Sequence, residues 1–511
     1  MNKRETWHTP IAKPTDTMID RRRLQDKTTG YFKYLVLLVL VGYPLFAFLD
    51  TLPIRIWDES RLAINAYEMY KSGNYLVTTF HHQPDLWNTK PPLMIVLQAL
   101  FMKVIGVNEL AVRLPSAIAA FITALAIFIF SLRYLKSFWY GFIAVLVLIT
   151  SEGYIGMHAA RTGDYDVLLT LFSTVSSLFF FLYTETRKSK YLYLYFILLS
   201  MAVLTKSVAG LLFLPAMLMY VLIRGLLLTI LKEKHFYLGM LSFVLMVGGY
   251  YFFREMASGG YLQAVYNNEL GGRYLDEIEN HTQEFLYYYK NIIHYRLAKI
   301  WFVLVPAGMG LGWACRDSKF RHLSIFSSLI VITFFLIISS AKTKLEWYDI
   351  PMYPFFALLI ANVIYFVFRL LKQSEYMKAP LRYNIAGYLF LYLVFILPYQ
   401  SLVHKVYKPY ERPQDETFYQ VSHLLQDGIK ANDEHLNRMV LVYKGYKPQL
   451  EFYANIMYDR GITFKFSDNF DYLNKGDLVI VTHKHSEKEL AGKYDYKVFK
   501  RIKSITIYEI L

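Results

Sequence analysis

The chain has 511 residues, 55% of them hydrophobic and 17% aromatic, with a formal net charge of +15. So apolar a composition excludes an ordinary soluble enzyme. The positive balance falls mainly in short loops between apolar segments, as membrane topology demands, which removes nucleic acid as the reading of the charge. The single cysteine, Cys315, excludes an intramolecular disulfide and a cysteine metal cluster.

The N-terminus is polar up to Arg21-Arg22-Arg23 and then apolar to about Leu49. That pattern reads as an uncleaved anchor behind a cytoplasmic tail of residues 1–30, because a signal peptide has a shorter apolar core and a small-residue cleavage site. Further apolar segments start near Arg113, Ser137, Asp166, Tyr191, Val208, Phe236, Leu297, Leu323, Pro351 and Asn384. A span needs roughly 20 apolar residues. The pattern predicts a polytopic α-helical membrane protein with about eleven to thirteen transmembrane helices over residues 31–403.

Arg133 with Lys136, Arg187 with Lys188 and Lys190, Arg224 with Lys232 and Lys234, Arg316 with Lys319 and Arg321, and Arg369 with Lys372 and Lys378 all fall in alternate loops, as do Arg21 to Arg23. By the positive-inside rule that face is cytoplasmic. The opposite loops, at about Thr51–Val112, Ile155–Tyr165, Thr205–Ser207, Arg254–Arg296 and Ser339–Ile350, hold nearly all the carboxylates, histidines and tyrosines suited to chemistry. The active site is therefore expected to face the periplasm from a cytoplasmic membrane. In the long first loop, 51–112, Glu59–Lys71 and Leu93–Val104 have helical apolar spacing and predict surface helices, the second opened by Pro91-Pro92. After about residue 404 the composition changes. A helix over Thr417–Ile429 and strands over Arg438–Tyr443, Leu478–Thr482 and Ile502–Ile510 predict a small soluble α/β domain, 404–511.

Within these loops a few residues invite chemistry. Asp58 and Glu59 lie just past the first span. They suit the first turn of a surface helix, and a carboxylate there could also serve as general base for an acceptor hydroxyl. Lys90 sits at a helix start, where a cation is unfavourable unless an anion joins it. Arg161, Asp164 and Asp166 form a loop entering a helix; the two carboxylates fit either a metal pair or a cap with an ion pair to Arg161. Lys206 reads as a snorkelling lysine or a phosphate ligand, and His281 as a ligand, a proton carrier or a plain surface residue. Lys342, Lys344, Trp347 and Tyr348 stand at another outer boundary. Interface anchoring explains the aromatic residues, and an anionic ligand explains the two lysines.

The order of Asp58-Glu59-Ser60-Arg61, Lys90-Pro91-Pro92, Arg113-Leu114-Pro115-Ser116 and Lys342-Thr343-Lys344-Leu345 with Tyr348 and Pro354 resembles that of the GT-C glycosyltransferases. The similarity is to the aminoarabinose-transferase (lipid A) and protein O-mannosyltransferase branch, over about Arg55 to Pro354. The resemblance implies an inverting glycosyltransferase that moves a sugar from a polyprenyl phosphate to an acceptor hydroxyl or phosphate on lipid A, a protein or a surface glycan. It matches Asp58 to an essential aspartate, Asp166 to an acidic position, Arg61 and Lys90 to positions facing the donor phosphate, Lys206, Lys344 and Tyr348 to late cavity positions, and His281 to a histidine of the fourth outer loop. Together with the reading of the loops, Asp58, Glu59 and Asp166 are the expected catalytic set, Arg61, Lys90, Lys206, Lys344 and Tyr348 the expected donor-phosphate ligands, and Arg161, Asp164, His281 and Lys342 candidate cavity residues. The family often has Glu just before Lys-Pro-Pro; this chain has Thr89, a lost ligand that argues against a metal requirement. No cofactor and no nucleic-acid partner are expected. The alternatives are a lipid-linked-sugar transporter or flippase, which needs charges near the bilayer midplane, and a non-catalytic subunit that binds polyprenyl phosphate.

Overall fold

The computed structural model describes residues 16–156, 158–272, 283–297, 299–373, 385–482 and 484–511. Each of the eleven apolar segments lies on a helix. Among the described residues, seven helical stretches are long and apolar enough to cross a membrane, from Glu109–Leu135 to Ile385–Val406. Tyr287–Arg296 and Trp301–Trp313, bent by 114°, would together make an eighth. The expected number was higher because Tyr31–Phe46, Phe138–Ile149 and Leu214–Ile223 are apolar but short. At 1.5 Å per residue such helices fall short of a hydrocarbon core of roughly 30 Å. Composition marks an apolar segment, but backbone breaks set its length: Lys136 at φ +57 and Ser207 at φ +49 each end a helical run.

Local chemistry explains several boundaries. Asn108, Ser137, Asp164 and Asp317 each accept a backbone N–H at the start of the helix that follows. Gly73, at φ +69, closes the helix Asp58–Ser72 in the left-handed conformation glycine tolerates. Between helices the core is aromatic, with Phe181, Tyr220 and Phe326 packed ring against ring.

The first loop folds as expected into two helices, Asp58–Ser72 and Leu93–Ile105. Between them is a hairpin of β1 (Thr79–Phe80) and β2 (Gln83–Pro84). Its turn residues His81 and His82 have φ of +52 and +61, a turn sequence-based rules assign to Asn-Gly or Asp-Gly.

The C-terminal residues form a five-stranded sheet in the order β4-β3-β5-β7-β6. β3 is Met439–Val442, β4 Lys465–Ser467, β5 Leu478–Val481, β6 Tyr496–Ile502 and β7 Ile505–Ile510. β3 runs parallel to both β4 and β5, while β7 pairs antiparallel with β5 and β6. β5 is buried along its whole length, as a continuous apolar run in a parallel sheet should be. This domain sits on the first loop. Tyr453 donates to Glu109 at 2.8 Å and accepts from the Ile54 amide at 3.0 Å. Arg55 pairs with Glu411 through both of its terminal nitrogens, at 2.7 and 2.8 Å. Helix Pro448–Asp459 and the segment at Glu411 thus hold the first loop, and Tyr67 of its first helix donates to Asp459 at 3.0 Å.

Candidate functional site

The site is built where helix Asp58–Ser72 begins. Successive helical residues point about 100° apart, so Asp58 and Glu59 cannot serve the same cavity. Asp58 is in the first turn with a half-exposed side chain; Trp57 occupies the cap position. Glu59 turns inward. Its carboxylate accepts from Arg113 at 2.7 and 2.9 Å and from the amides of Arg55 and Gly163 at 2.8 Å each. Arg113 spends its remaining hydrogens on the carbonyls of Leu49, Leu52 and Pro53. Burial would raise the Glu59 pKa, but the Arg113 charge and these hydrogen bonds hold it below the ordinary carboxylate value. Glu59 is therefore a structural anion, not the catalytic group expected from its place beside Asp58.

Asp58 faces a loop that enters the helix Tyr165–Thr186. His158, in the left-handed region at φ +58, brings Nδ1 to 2.7 Å from Asp164 and 4.0 Å from Asp58. Its ring lies flat on Trp347 at 3.6 Å and 14°. Burial would lower the His158 pKa. The Asp164 hydrogen bond and charge, with Asp58 and Asp166 behind them, raise it instead, so three carboxylates converge on one imidazole. Asp164 also caps the helix, accepting from the Tyr165 amide at 2.7 Å. Sequence reasoning missed His158. The signal available was a histidine in the same outer loop as Asp164; attention went to His281, which lies outside the described residues.

Beside this cluster is a cavity of about 140 Å³. Its lining combines Lys90, Asp166, Lys206, Glu269, Thr343 and Tyr348 with Leu169, Val208, Leu212, Phe334, Ile337 and Ile338. Lys206 ends its helix because Ser207 turns to φ +49, and a cation suits that C-terminus. Its Nζ bonds both oxygens of Asp166 at 2.6 and 2.7 Å and stands 4.9 Å from the Tyr348 ring centroid. Asp166, expected to be catalytic, is bound to a lysine and so positions that cation. Lys90 Nζ is 3.8 Å from Glu269. Thr89 donates to the same carboxylate at 3.2 Å. The acid missing before Lys-Pro-Pro is thus supplied by Glu269, 180 residues later, a replacement no local pattern shows.

Three expected phosphate or cavity residues are committed elsewhere. Arg61 grips Asp85 at 2.7 and 3.0 Å and lies over the Phe80 ring at 4.2 Å. Lys344 donates to the carbonyls of Ala341 and Gln283, while its neighbour Thr343 faces the cavity. Arg161 caps the end of the first apolar helix, donating to the carbonyls of Pro44, Ala47 and Phe48. None of the three lines the cavity. Lys342 is exposed outside the cavity. Larger clefts of about 780 and 450 Å³ border the C-terminal domain. The second is lined by Arg55, Arg113 and Arg161, all paired as described, so volume alone does not locate the chemistry.

Asp58, His158 and Asp164 offer ligand atoms within 4.8 Å of one another. Two carboxylates and an imidazole are a donor set that suits a divalent cation. Asp164 is, however, already shared between His158 and the Tyr165 amide.

Known proteins match this chain at three levels. The family model described as dolichyl-phosphate-mannose-protein mannosyltransferase matches residues 89–251, which hold Lys90, His158, Asp164, Asp166 and Lys206. An uncharacterized protein of Aquifex aeolicus is 29% identical over 64% of this chain and 63% of its own length. The undecaprenyl phosphate-alpha-4-amino-4-deoxy-L-arabinose arabinosyl transferase of Aeromonas hydrophila is 26% identical over 64% of this chain. The match spans 58% of that relative's length. Among solved structures, ArnT of Cupriavidus metallidurans bound to undecaprenyl phosphate superposes with a TM-score of 0.68 at 14% identity, over 94% of this chain and 98% of that one. The oligosaccharyltransferase AglB of Archaeoglobus fulgidus superposes with a TM-score of 0.53 at 12% identity, over 84% of this chain and 64% of that one. The chain shares the fold of ArnT and, less closely, of the oligosaccharyltransferase AglB.

Proposed function

We propose that this protein is a membrane-embedded inverting glycosyltransferase that takes its sugar from a polyprenyl phosphate on the periplasmic side. The observation that carries this reading is the mixed lining of one cavity. Lys90 and Lys206, with Tyr348, share it with the aliphatic residues Leu169, Val208, Leu212, Ile337 and Ile338. An amphiphile with an anionic head satisfies both kinds of lining at once. The relatives support it, since the Aeromonas enzyme is named for an undecaprenyl phosphate sugar and the Cupriavidus structure holds undecaprenyl phosphate. The described ion pairs around this cavity also gather at one end of the helix bundle, unlike the midplane charges of a transporter.

In this mechanism Asp58 accepts the proton of the acceptor hydroxyl as its oxygen attacks the anomeric carbon. The bond from that carbon to the phosphate oxygen breaks on the opposite face, and its electron pair leaves on the lipid phosphate. Lys206, held by Asp166, and Lys90, held near Glu269, stabilise the charge growing there; one such preorganised donor contributes roughly 3–4 kcal/mol. Lys206→Ala is expected to lower transfer about 10²–10³-fold. The measurement is the rate of donor consumption in washed membranes, and an unchanged rate at limiting donor removes Lys206 from the role.

A divalent ion held by Asp58, His158 and Asp164 would add charge stabilisation at the phosphate. The two lysines already provide that, so we propose that none is required. Membranes stripped with EDTA should transfer at the untreated rate. Loss of activity restored by magnesium or manganese would assign those three residues to a cation instead.

A further inference from the structure

The transfer chemistry leaves one prominent feature unused. Trp57, the residue before Asp58, is 59% exposed, yet its backbone is held at φ +70 and ψ −117. Strained backbone of this kind persists only where surrounding structure enforces it, and it gathers at ligand sites. Tyr446 of the C-terminal domain is what meets the indole, stacked at 4.9 Å and 16°. Phe80, from the hairpin, continues the pile at 6.5 Å and 25° from Tyr446. Three nearly parallel rings from three separate segments thus converge beside Asp58.

The place of Tyr446 in its own domain points the same way. It sits in the loop that leaves the carboxyl end of β3. The chain continues to β4 on one side of β3, and later to β5 on the other. That is the switch point where α/β sheets hold ligands. Gly445, at φ +118, shapes the loop so that Tyr446 reaches the indole. A tryptophan serving only as a membrane anchor would face headgroups; this one lies under a loop of the soluble domain.

Resting on the glycosyl-transfer reading, we propose that the open face of Trp57, backed by Tyr446 and Phe80, is an acceptor subsite for a sugar ring, and that the C-terminal domain completes it. The acceptor is then a glycan or glycolipid sugar rather than a protein hydroxyl. The physical basis is the negative face of the indole, which attracts the positively polarised C–H groups on the flat side of a pyranose. A rigid aromatic side chain also loses little conformational freedom when it is covered. Stacking leaves the ring hydroxyls at the edge of the platform, where Asp58 can reach one of them.

The test uses the full-length protein in nanodiscs, and as probe the oligosaccharide pool released from the envelope of the cells that make it. Wild type should retain oligosaccharide. Trp57→Ala and Tyr446→Ala should each reduce retention at least tenfold, and Trp57→Phe should keep most of it. In membranes, Trp57→Ala should raise the acceptor KM more than it lowers kcat, a split that a general folding defect does not produce. No retention by wild type, or equal retention by Trp57→Ala, overturns the platform. Failure of the transferase reading shows separately, as oligosaccharide binding without sugar transfer.

Discussion

Asp58→Asn abolishes sugar transfer, with a loss of about 10³-fold or more, while the protein still inserts and folds. The amide keeps the shape of the carboxylate but cannot take the acceptor proton, and general-base contributions alone reach about 10²–10⁴-fold. Little structure depends on the Asp58 side chain, which is half exposed and 4.0 Å from its nearest ionic partner, His158. The variant should therefore match wild type in expression and melting temperature. The readout is mass spectrometry of envelope lipids and glycans in a deletion strain that carries the variant. Wild type restores the sugar-sized mass increment, and Asp58→Asn does not. Restoration by Asp58→Asn would move the base elsewhere, with Asp164 the next carboxylate in line.

Glu59→Gln has the opposite signature. It strips Arg113 of the carboxylate it is hydrogen-bonded to; among the described residues the other hydrogen bonds of this nearly fully buried cation go to carbonyls. Breaking a buried pair from one side costs about 3–5 kcal/mol. The protein should melt well below wild type and lose the seating of the C-terminal domain on the first loop, because the Arg55 amide bonded to Glu59 precedes the Arg55–Glu411 pair. Replacing both partners, Glu59→Gln with Arg113→Met, should recover much of the loss, since no charge is then left unpaired. The pH dependence follows from the depressed Glu59 pKa. A lowered folded-state value means the stabilisation is fully present above the ordinary glutamate value of 4.5 and is lost as pH falls through the lower folded value. Wild type should lose this contribution only in acid below about pH 4.5, and Glu59→Gln should lack that step. A melting curve of Glu59→Gln superimposable on wild type at pH 7 would show that the pair holds nothing together.

These variants separate two residues that are adjacent in the chain. Sequence places Asp58 and Glu59 together; helical geometry turns one to the cavity and buries the other. The same division runs through the site. Lys90, Lys206 and Tyr348 were readable as cavity residues because cations and aromatic residues at an outer boundary call for an anion. Arg61, Arg161 and Lys344 had the same local look. Their partners are Asp85, the carbonyls near Pro44 and the carbonyls at Ala341 and Gln283, and only folding brings those within reach. His158 and Glu269 went unnoticed for the converse reason. Each is unremarkable in its own segment and acquires its role from a neighbour in space.

By itself, then, the sequence determined what local physics can encode. Apolar length marks the helical bundle, apolar residues at helical spacing mark the surface helices of the first loop, and short apolar runs between polar turns mark strands of the last domain. Charge placed at the ends of apolar segments marks which end of the bundle is chemical. Tertiary structure alone decided which charges are free and which are consumed, how long each helix runs before a left-handed residue stops it, and that Tyr446 closes over Trp57 beside Asp58. A side chain's available charge depends on what packs against it, and in this chain contacts such as Glu59–Arg113 and Trp57–Tyr446 join residues from about fifty to nearly four hundred positions apart.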